Sequence, residues 1–472
     1  MSTVETQQPD GLAAQAAALA AGEVSARELT ERSLTRIEAT QPTLNAFRVV
    51  CAEQALADAE QADRRLAAGE SAPLLGVPVA IKDDVDLAGH GTPFGCAGEH
   101  PPAARDAEPV RRLRAAGAIV VGKTNAPEVG QWHFSETEAF GVTRNPWHLD
   151  HTPGGSSGGA AAAVAAGLVA GAMGSDGAGS IRIPAAWTHL VGLKPQRGRV
   201  STWPDAEAFN GLSCYGPLTR SVADSALLLD ALAGNVPADR HHVPAPAEPF
   251  AAAVQRQPGR LRIALSFATP NGAPGKVDPE QRAAVEALAG ELEELGHAVE
   301  LRDPDFGLVG PALIPRGMSA VDAWLREREI DRSRLEPRTR VHARMGRMLG
   351  GAPLRAARAA EPGLRRRMGT IFERSDLVLT PTTAAAPPRI DQLKGRGYWA
   401  TSTAASATCP FAWPWNVVGW PALSVPAGFT AAGLPIGAQL VAPAMGEARL
   451  LALAAQLEDA RNWQELRPPA SY

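Results

Sequence analysis

The sequence predicts an α/β fold, and three observations carry that expectation. Short apolar runs at 77–82, 118–122 and 376–381 read as buried strands, because each is brief and bounded by Gly, Pro, Lys or Asp. Helical spacing occupies the ground between such runs, at about 52–66, 110–116 and 279–295. The stretch 261–301 combines both, with strand 261–265, helix 279–295 and strand 298–301 forming a βαβ unit. Length alone, at 472 residues, suggests two or three domains, but single α/β domains of this size exist. With 45% hydrophobic and 20% charged residues, the chain can bury a large core.

Residues 1–10 are polar and read as a frayed end. The opening MSTVETQQPDG has no charged leader and no apolar core, so no signal peptide is expected. No long apolar run follows, and the expected compartment is the cytoplasm. From 10 to about 68 the pattern is helical: Leu29, Leu34 and Ile37 recur at helical spacing, and Ser25 with Glu28 fits a capping box. Asn45-Ala46-Phe47-Arg48 breaks this flank into two helices. The run 77–82 ends in Lys82, followed by two aspartates. Because the residues before it are apolar, Lys82 is placed for desolvation, which disfavours the ammonium form and lowers its pKa. Helix 110–116 stops at Gly117, and strand 118–122 leads into Lys123-Thr124-Asn125-Ala126-Pro127-Glu128 and then Gly130-Gln131-Trp132-His133. Arg144-Asn145-Pro146-Trp147 reads as a rigid turn.

The stretch 151–184 organises the rest. It holds Gly154-Gly155-Ser156-Ser157-Gly158-Gly159, a small-residue run over 160–173 that reads as one buried helix, and Gly174-Ser175-Asp176-Gly177-Ala178-Gly179-Ser180-Ile181-Arg182. Glycine lets backbone N–H groups crowd a ligand. Two such loops flanking a small-residue element can bring two hydroxyls together. Either loop alone is as readily an ordinary turn; the pair, with Asp176 and Arg182 around the second, is not. Two rival motifs fit less well. Gly154-Gly155-Ser156-Ser157-Gly158 matches the G-x-S-x-G nucleophile elbow, but His241, His242, His297 and His342 have no persuasive loop context, and Ser180 is left without a role. A phosphate loop needs Gly-Lys-Ser/Thr at the helix start, which is absent.

Together with Gly76-Val77-Pro78-Val79-Ala80-Ile81-Lys82-Asp83, the stretch resembles the signature of the amidase signature family of serine hydrolases. The resemblance runs from about 74 to 236 and resumes from about 376 to 453. It implies one large α/β domain with a central mixed, mostly parallel sheet covered by helices. Within it, 1–68 would be a helical flank, 74–236 the core, 237–375 a variable helical region where substrate choice differs, and 376–472 the last core strands and helix. It implies a Ser-Ser-Lys triad: Lys82 as base, Ser156 as bridging serine after a cis Gly155–Ser156 bond, and Ser180 as nucleophile. Backbone N–H groups of Gly177, Ala178, Gly179 and Ser180 would form the oxyanion hole, with Ser157, Asp176 and Arg182 holding the loops. Many members have three glycines or Ile-Gly-Gly there; Gly177-Ala178-Gly179 keeps the N–H but adds a methyl. The loop 123–128 would lie beside the site, and Gly130 and Trp132 where the family lines its acyl pocket. Trp132 reads equally as pocket wall or core, and His133 as a hydrogen-bonded structural histidine.

Downstream, 191–195 is family-like, and Thr219 or Ser221 is expected to cap a helix running through Leu232. Residues 236 to about 258 are Pro- and Ala-rich and read as a linker or surface loop. The arginine-rich segment 316–374 also carries Asp322, Glu327, Glu329, Asp331, Glu336, Glu361 and Glu373, so a solvated helical face is favoured over a nucleic-acid surface. Tyr398, Trp399, Phe411, Trp413, Trp415 and Trp420 form an aromatic-rich loop region in which some residues are expected at the pocket mouth. Strands at 421–427 and 437–441 and a helix at 447–460 close the fold.

The net charge of −4 argues against a general nucleic-acid or anionic-membrane binder. Cys51, Cys96, Cys214 and Cys409 are scattered, which suits buried thiols in a reducing compartment and neither a zinc site nor a disulfide framework. The resemblance calls for no metal or cofactor. The expected partner is a small-molecule amide or carbamate, and a homodimer is compatible with it. Small, aryl or oligomeric amides lead; carbamates (urethanes) and nylon-like oligomers stay open. A glutaminase subunit of a tRNA-dependent amidotransferase is a second hypothesis, and a non-catalytic binding protein a third.

Overall fold

The computed structural model describes residues 10–270 and 273–469. The polar N-terminal residues expected to fray lie outside them, except Asp10. Helices Leu12–Ala20, Ala26–Leu44 and Ala52–Ala67 form the N-terminal flank. The capping box is present: the Ser25 hydroxyl accepts from the Glu28 N–H, and the Glu28 carboxylate accepts from the Ser25 N–H. The break expected at 45–48 is more than an interruption. Asn45 turns left-handed at φ 48°, and β1 (Phe47–Val50) then pairs antiparallel with β3 (Ile119–Thr124) at the edge of the main sheet. Four residues are too few for a period to declare itself, although Phe, Val and Val favour a pleated strand.

The remaining strands are β2 (Pro78–Lys82), β4 (Glu136–Thr137), β5 (Gly141–Val142), β6 (Gly171–Asp176), β7 (Val191–Lys194), β8 (Cys214–Thr219), β9 (Arg262–Leu265), β10 (Ala298–Leu301), β11 (Leu377–Pro381), β12 (Ala422–Phe429) and β13 (Pro435–Val441). β4 and β5 make a small separate hairpin. The others form one sheet of 11 strands in the order β1-β3-β2-β6-β8-β7-β12-β13-β11-β9-β10. The sheet is mixed, as expected, but not mostly parallel. Parallel pairing joins β3, β2 and β6 on one flank and β11, β9 and β10 on the other. The whole centre, from β6 through β8, β7, β12 and β13 to β11, is antiparallel, as is β1 on β3. The reason is connection length: a parallel neighbour needs a crossover such as the helix Pro279–Glu294, whereas β12 returns to β13 through a tight turn closed by the Thr430 N–H on the Leu434 carbonyl.

A second correction concerns 160–173. Only Gly158–Ala165 is helical. Gly167, at φ 66°, ends that helix, and the chain turns straight into β6. Both pieces are buried, as expected, because small side chains let the helix pack closely against β6 and its neighbours in the sheet. The consequence is positional. The Ser156 loop opens a helix, while the Ser180 loop leaves the end of a strand adjacent to β2.

Ser221 caps Val222–Leu232 by accepting from the Asp224 N–H. Helices Val309–Glu327, Pro337–Leu349 and Ala352–Gly369 fill the arginine-rich segment. That segment is not purely a solvated face. Arg316 is buried and bonded to Glu361 at 2.7 Å, and Asp322 and Glu336 are buried too. All four cysteines are buried free thiols. Among the described residues, no helix is long and apolar enough to cross a membrane.

Candidate active site

Lys82 closes β2, between β3 and β6, and is 0% exposed. Its Nζ lies 2.6 Å from Ser156 Oγ and 2.8 Å from Ser175 Oγ. Asp84 Oδ2 is 3.6 Å away, and the Phe94 ring covers the amine at 5.4 Å. Burial lowers the Lys82 pKa; Asp84 and Asp176 oppose this without reversing it. Asp83 does not share in this. It turns to the other side, where Lys123 Nζ at 3.0 Å and Arg48 Nε at 2.7 Å hold it. Lys123 and Thr124, expected in a loop, are the last residues of β3.

The Ser156 loop is shaped by close approach. The Gly155–Ser156 peptide is cis, as the resemblance implied. A Cβ on Gly155 would meet the Trp132 carbonyl oxygen at 2.6 Å and the Phe134 nitrogen at 2.7 Å, so only glycine fits. The turn Glu128–Gly130 presents Gly130 to the same spot: at φ 63°, a Cβ there would sit 3.1 Å from Ser156 Oγ and 2.5 Å from Phe94. Gly130 therefore borders Ser156. Ser157 ties the loops together. Its hydroxyl donates to the Ser175 carbonyl at 3.1 Å, and its N–H donates to the Ser180 carbonyl at 3.2 Å. This brings Ser180 against the residue after Ser156.

Asp176 and Arg182, both fully buried, build the second loop. Arg182 Nε and Nη2 reach the two Asp176 oxygens at 2.9 and 2.8 Å, a bidentate pair. Arg182 also donates to the Ala412 carbonyl at 2.8 Å and to Asn416 Oδ1 at 2.6 Å. Burial pushes the Asp176 carboxyl up, but the Arg182 guanidinium, with Lys194 and Asn416, holds it well below the usual carboxylate range. Asp176 Oδ1 accepts the Gly179 N–H at 2.7 Å. That bond corrects one expectation: the Gly179 N–H is committed to the carboxylate, which shapes the loop, and does not serve an oxyanion. Ala178 is exposed, and Gly177 and Ser180 are half-buried, so the outward face of the loop is theirs. The same buried pair predicts a stability effect. Arg182→Ala should cost about 3–5 kcal/mol, because it strands a buried carboxylate; chemical denaturation measures it. The folded-state pKa of Asp176 is depressed, so its stabilising contribution is full above about pH 4 and is lost as pH falls further.

Trp132 is 4% exposed and lies in an aromatic cluster. It stacks on Phe134 with centroids 6.1 Å apart, meets Tyr398 at 6.1 Å and His342 at 6.4 Å, and has Arg338 over its face at 5.5 Å. Its Nε1 has no hydrogen-bond partner among the described residues. Helices Pro337–Leu349 and Tyr398–Thr408 thus pack their aromatic and apolar groups directly behind the Ser156 loop. Of the aromatic-rich region, Tyr398 joins this wall, Trp399 is 67% exposed, and Trp415 and Trp420 pack into a separate core cluster with Phe306 and Phe372. His133 is wedged between Phe134 and Trp187, and burial drives its pKa down to about 4. Its Nδ1 has no partner among the described residues, so packing, not a hydrogen bond at that nitrogen, places it.

Three contributors escaped the sequence reading: Ser175, Asp84 and Asn416. Ser175 and Asp84 both stand inside motifs already singled out, one residue before Asp176 and two after Lys82. Asn416 donates to the Asp176 carbonyl at 2.8 Å from far along the chain, with no local signal.

Comparison with known proteins matches this architecture. The profile of the Amidase family fits residues 28–451. A Mycobacterium tuberculosis protein with an amidase name, AmiA2, is 53% identical, covering 95% of this chain and 93% of that protein. The structure of 6-aminohexanoate cyclic dimer hydrolase complexed with substrate superimposes with a TM-score of 0.91 at 33% identity, covering 98% of this chain and 99% of that one. A bacterial aryl acylamidase of the amidase signature family follows at TM-score 0.84 and 28% identity, covering 97% of each chain. With its fold and nearly its whole length in common with these proteins, the chain belongs to the amidase signature family of amide-hydrolysing enzymes.

Proposed function

We propose that the chain cleaves the C–N bond of small, aryl or oligomeric amides through an acyl-enzyme, with Ser180, Ser156 and Lys82 as its triad. The observation that carries this reading is a desolvated amine 2.6 Å from Ser156 Oγ. Neutral Lys82 accepts the Ser156 proton as Ser156 accepts that of Ser180, and Ser180 Oγ attacks the carbonyl carbon. N–H groups of Gly177, Ala178 and Ser180 receive the developing oxyanion. Lys82, through Ser156, returns the proton to the leaving nitrogen as the C–N bond breaks. Water then repeats the sequence on the ester, releasing the acid and regenerating Ser180.

The aromatic cluster of Trp132, Phe134 and Tyr398 packed beside the Ser156 loop supports a substrate with an apolar or aromatic portion, because an apolar surrounding favours such groups. So does the similarity to the cyclic dimer hydrolase and the aryl acylamidase. The test is a panel of anilides, 6-aminohexanoate oligomers, carbamates, aliphatic amides and glutamine, read by amine release. Anilides or oligomeric amides should exceed glutamine in kcat/KM by about 100-fold, the discrimination a hydrophobic pocket gives for a few buried methylenes. Glutamine as the best substrate would replace this reading with the glutaminase one.

A further inference from the structure

We infer that Asp84, acting through Ser175, is a positioning residue that aims the lone pair of Lys82 at Ser156. This rests on the reading of Lys82 as the base. Two hydroxyls lie within hydrogen-bond reach of Lys82 Nζ, Ser156 at 2.6 Å and Ser175 at 2.8 Å. A neutral amine has two N–H donors and one lone pair, so it can accept from only one of the two hydroxyls, and nothing in that pair alone decides which. Asp84 decides it. Ser175 Oγ donates a hydrogen bond to Asp84 Oδ2. The Ser175 hydroxyl is the donor in that bond, so its single proton is committed to Asp84. The Ser175 oxygen must then accept, and a Lys82 N–H supplies the donor. The lone pair is left facing Ser156, which is the direction that proton abstraction requires. The arrangement also serves the next step, since the ammonium formed has Asp84 Oδ2 at 3.6 Å.

Asp84 and Asp176 face Lys82, and Arg182 already engages Asp176. Asp205 and Tyr215 interact electrostatically with Asp84, and each also with Arg328 and Asp86. Asp83 is held by Lys123 and Arg48. Asp84 Oδ1 has no hydrogen-bond partner among the described residues, so Ser175 is the one hydroxyl bonded to this carboxylate there. Asp84 raises the proton affinity of Lys82 against the effect of burial. Removing its charge must therefore move the acid limb of the pH profile to lower pH, while loss of orientation lowers the plateau. A purely structural role would produce neither pattern.

The experiment measures kcat and kcat/KM from pH 5 to 10 for the parent, Asp84→Asn, Ser175→Ala, Ser175→Thr and Lys82→Met, with one amide substrate. Asp84→Asn should shift the acid limb down by about 1–3 pH units, the usual effect of one opposite charge at this range. It should also lower plateau kcat by about 10- to 100-fold, with KM within about threefold of the parent. Ser175→Ala should lower kcat by a similar factor, and Ser175→Thr should recover most of that loss. If Asp84→Asn does not fold, the Ser175 pair alone decides. An unmoved acid limb in Asp84→Asn, or full kcat in Ser175→Ala, overturns the inference while Lys82→Met is inactive. Substantial activity in Lys82→Met overturns the base reading itself.

Discussion

Ser180→Ala is expected to lower turnover by about 10,000-fold or more and to abolish labelling by a fluorophosphonate, with the fold intact. The size follows from its role. Without the hydroxyl no acyl-enzyme forms, and what remains is binding plus the backbone donors at 177, 178 and 180. The fold should survive because the Ser180 contact that joins the two loops is its carbonyl, which accepts from the Ser157 N–H and is kept in alanine. Thermal denaturation and circular dichroism check that point. A variant that still takes up the probe would move the nucleophile elsewhere.

Lys82→Met should bring a loss of comparable size, about 1,000- to 10,000-fold in kcat/KM, with little loss of stability. Methionine fills similar space but cannot accept a proton. A lysine 0% exposed pays a desolvation cost that its hydrogen bonds only partly return, so removing the amine does not strip the fold of a net support. In the parent, activity should fall as pH drops through the lowered Lys82 pKa, because the ammonium form has no lone pair to offer. The same variant should show no such limb. Turnover near the parent level would mean that the proton leaves Ser156 by another route.

Much of the site was legible because its chemistry is written in local spacing. Apolar residues running into Lys82 announced a buried strand-end amine, and the amine is buried. Glycines around Ser156 and Ser180 announced close backbone approach, and Gly155 and Gly179 leave no room for a Cβ. Ser25 with Glu28, and the βαβ unit of β9 and β10, were equally plain, since capping and periodicity are short-range. Where the reading slipped, the deciding contacts were distant. β1 is a strand because β3 offers it an edge. Composition could not reveal that the run 160–173 splits into helix and strand, since alanine and glycine suit either when both are buried. Strand direction across the centre of the sheet depends on which neighbours pair, and that is not local either.

What the sequence determined by itself was that Lys82 ends a buried strand and that Ser156 and Ser180 stand in glycine-tight loops, because glycine, serine and lysine at those spacings constrain the backbone nearby. What tertiary structure alone decided was their direction. Ser175 and Asp84 reach Lys82 across two adjacent strand ends, and Asp176 draws the Gly179 N–H inward while Arg182 and Asn416 hold it from another part of the chain. Hydrogen bonds have an orientation that only the placement of both partners can set, and the partners here are separated by up to 240 residues.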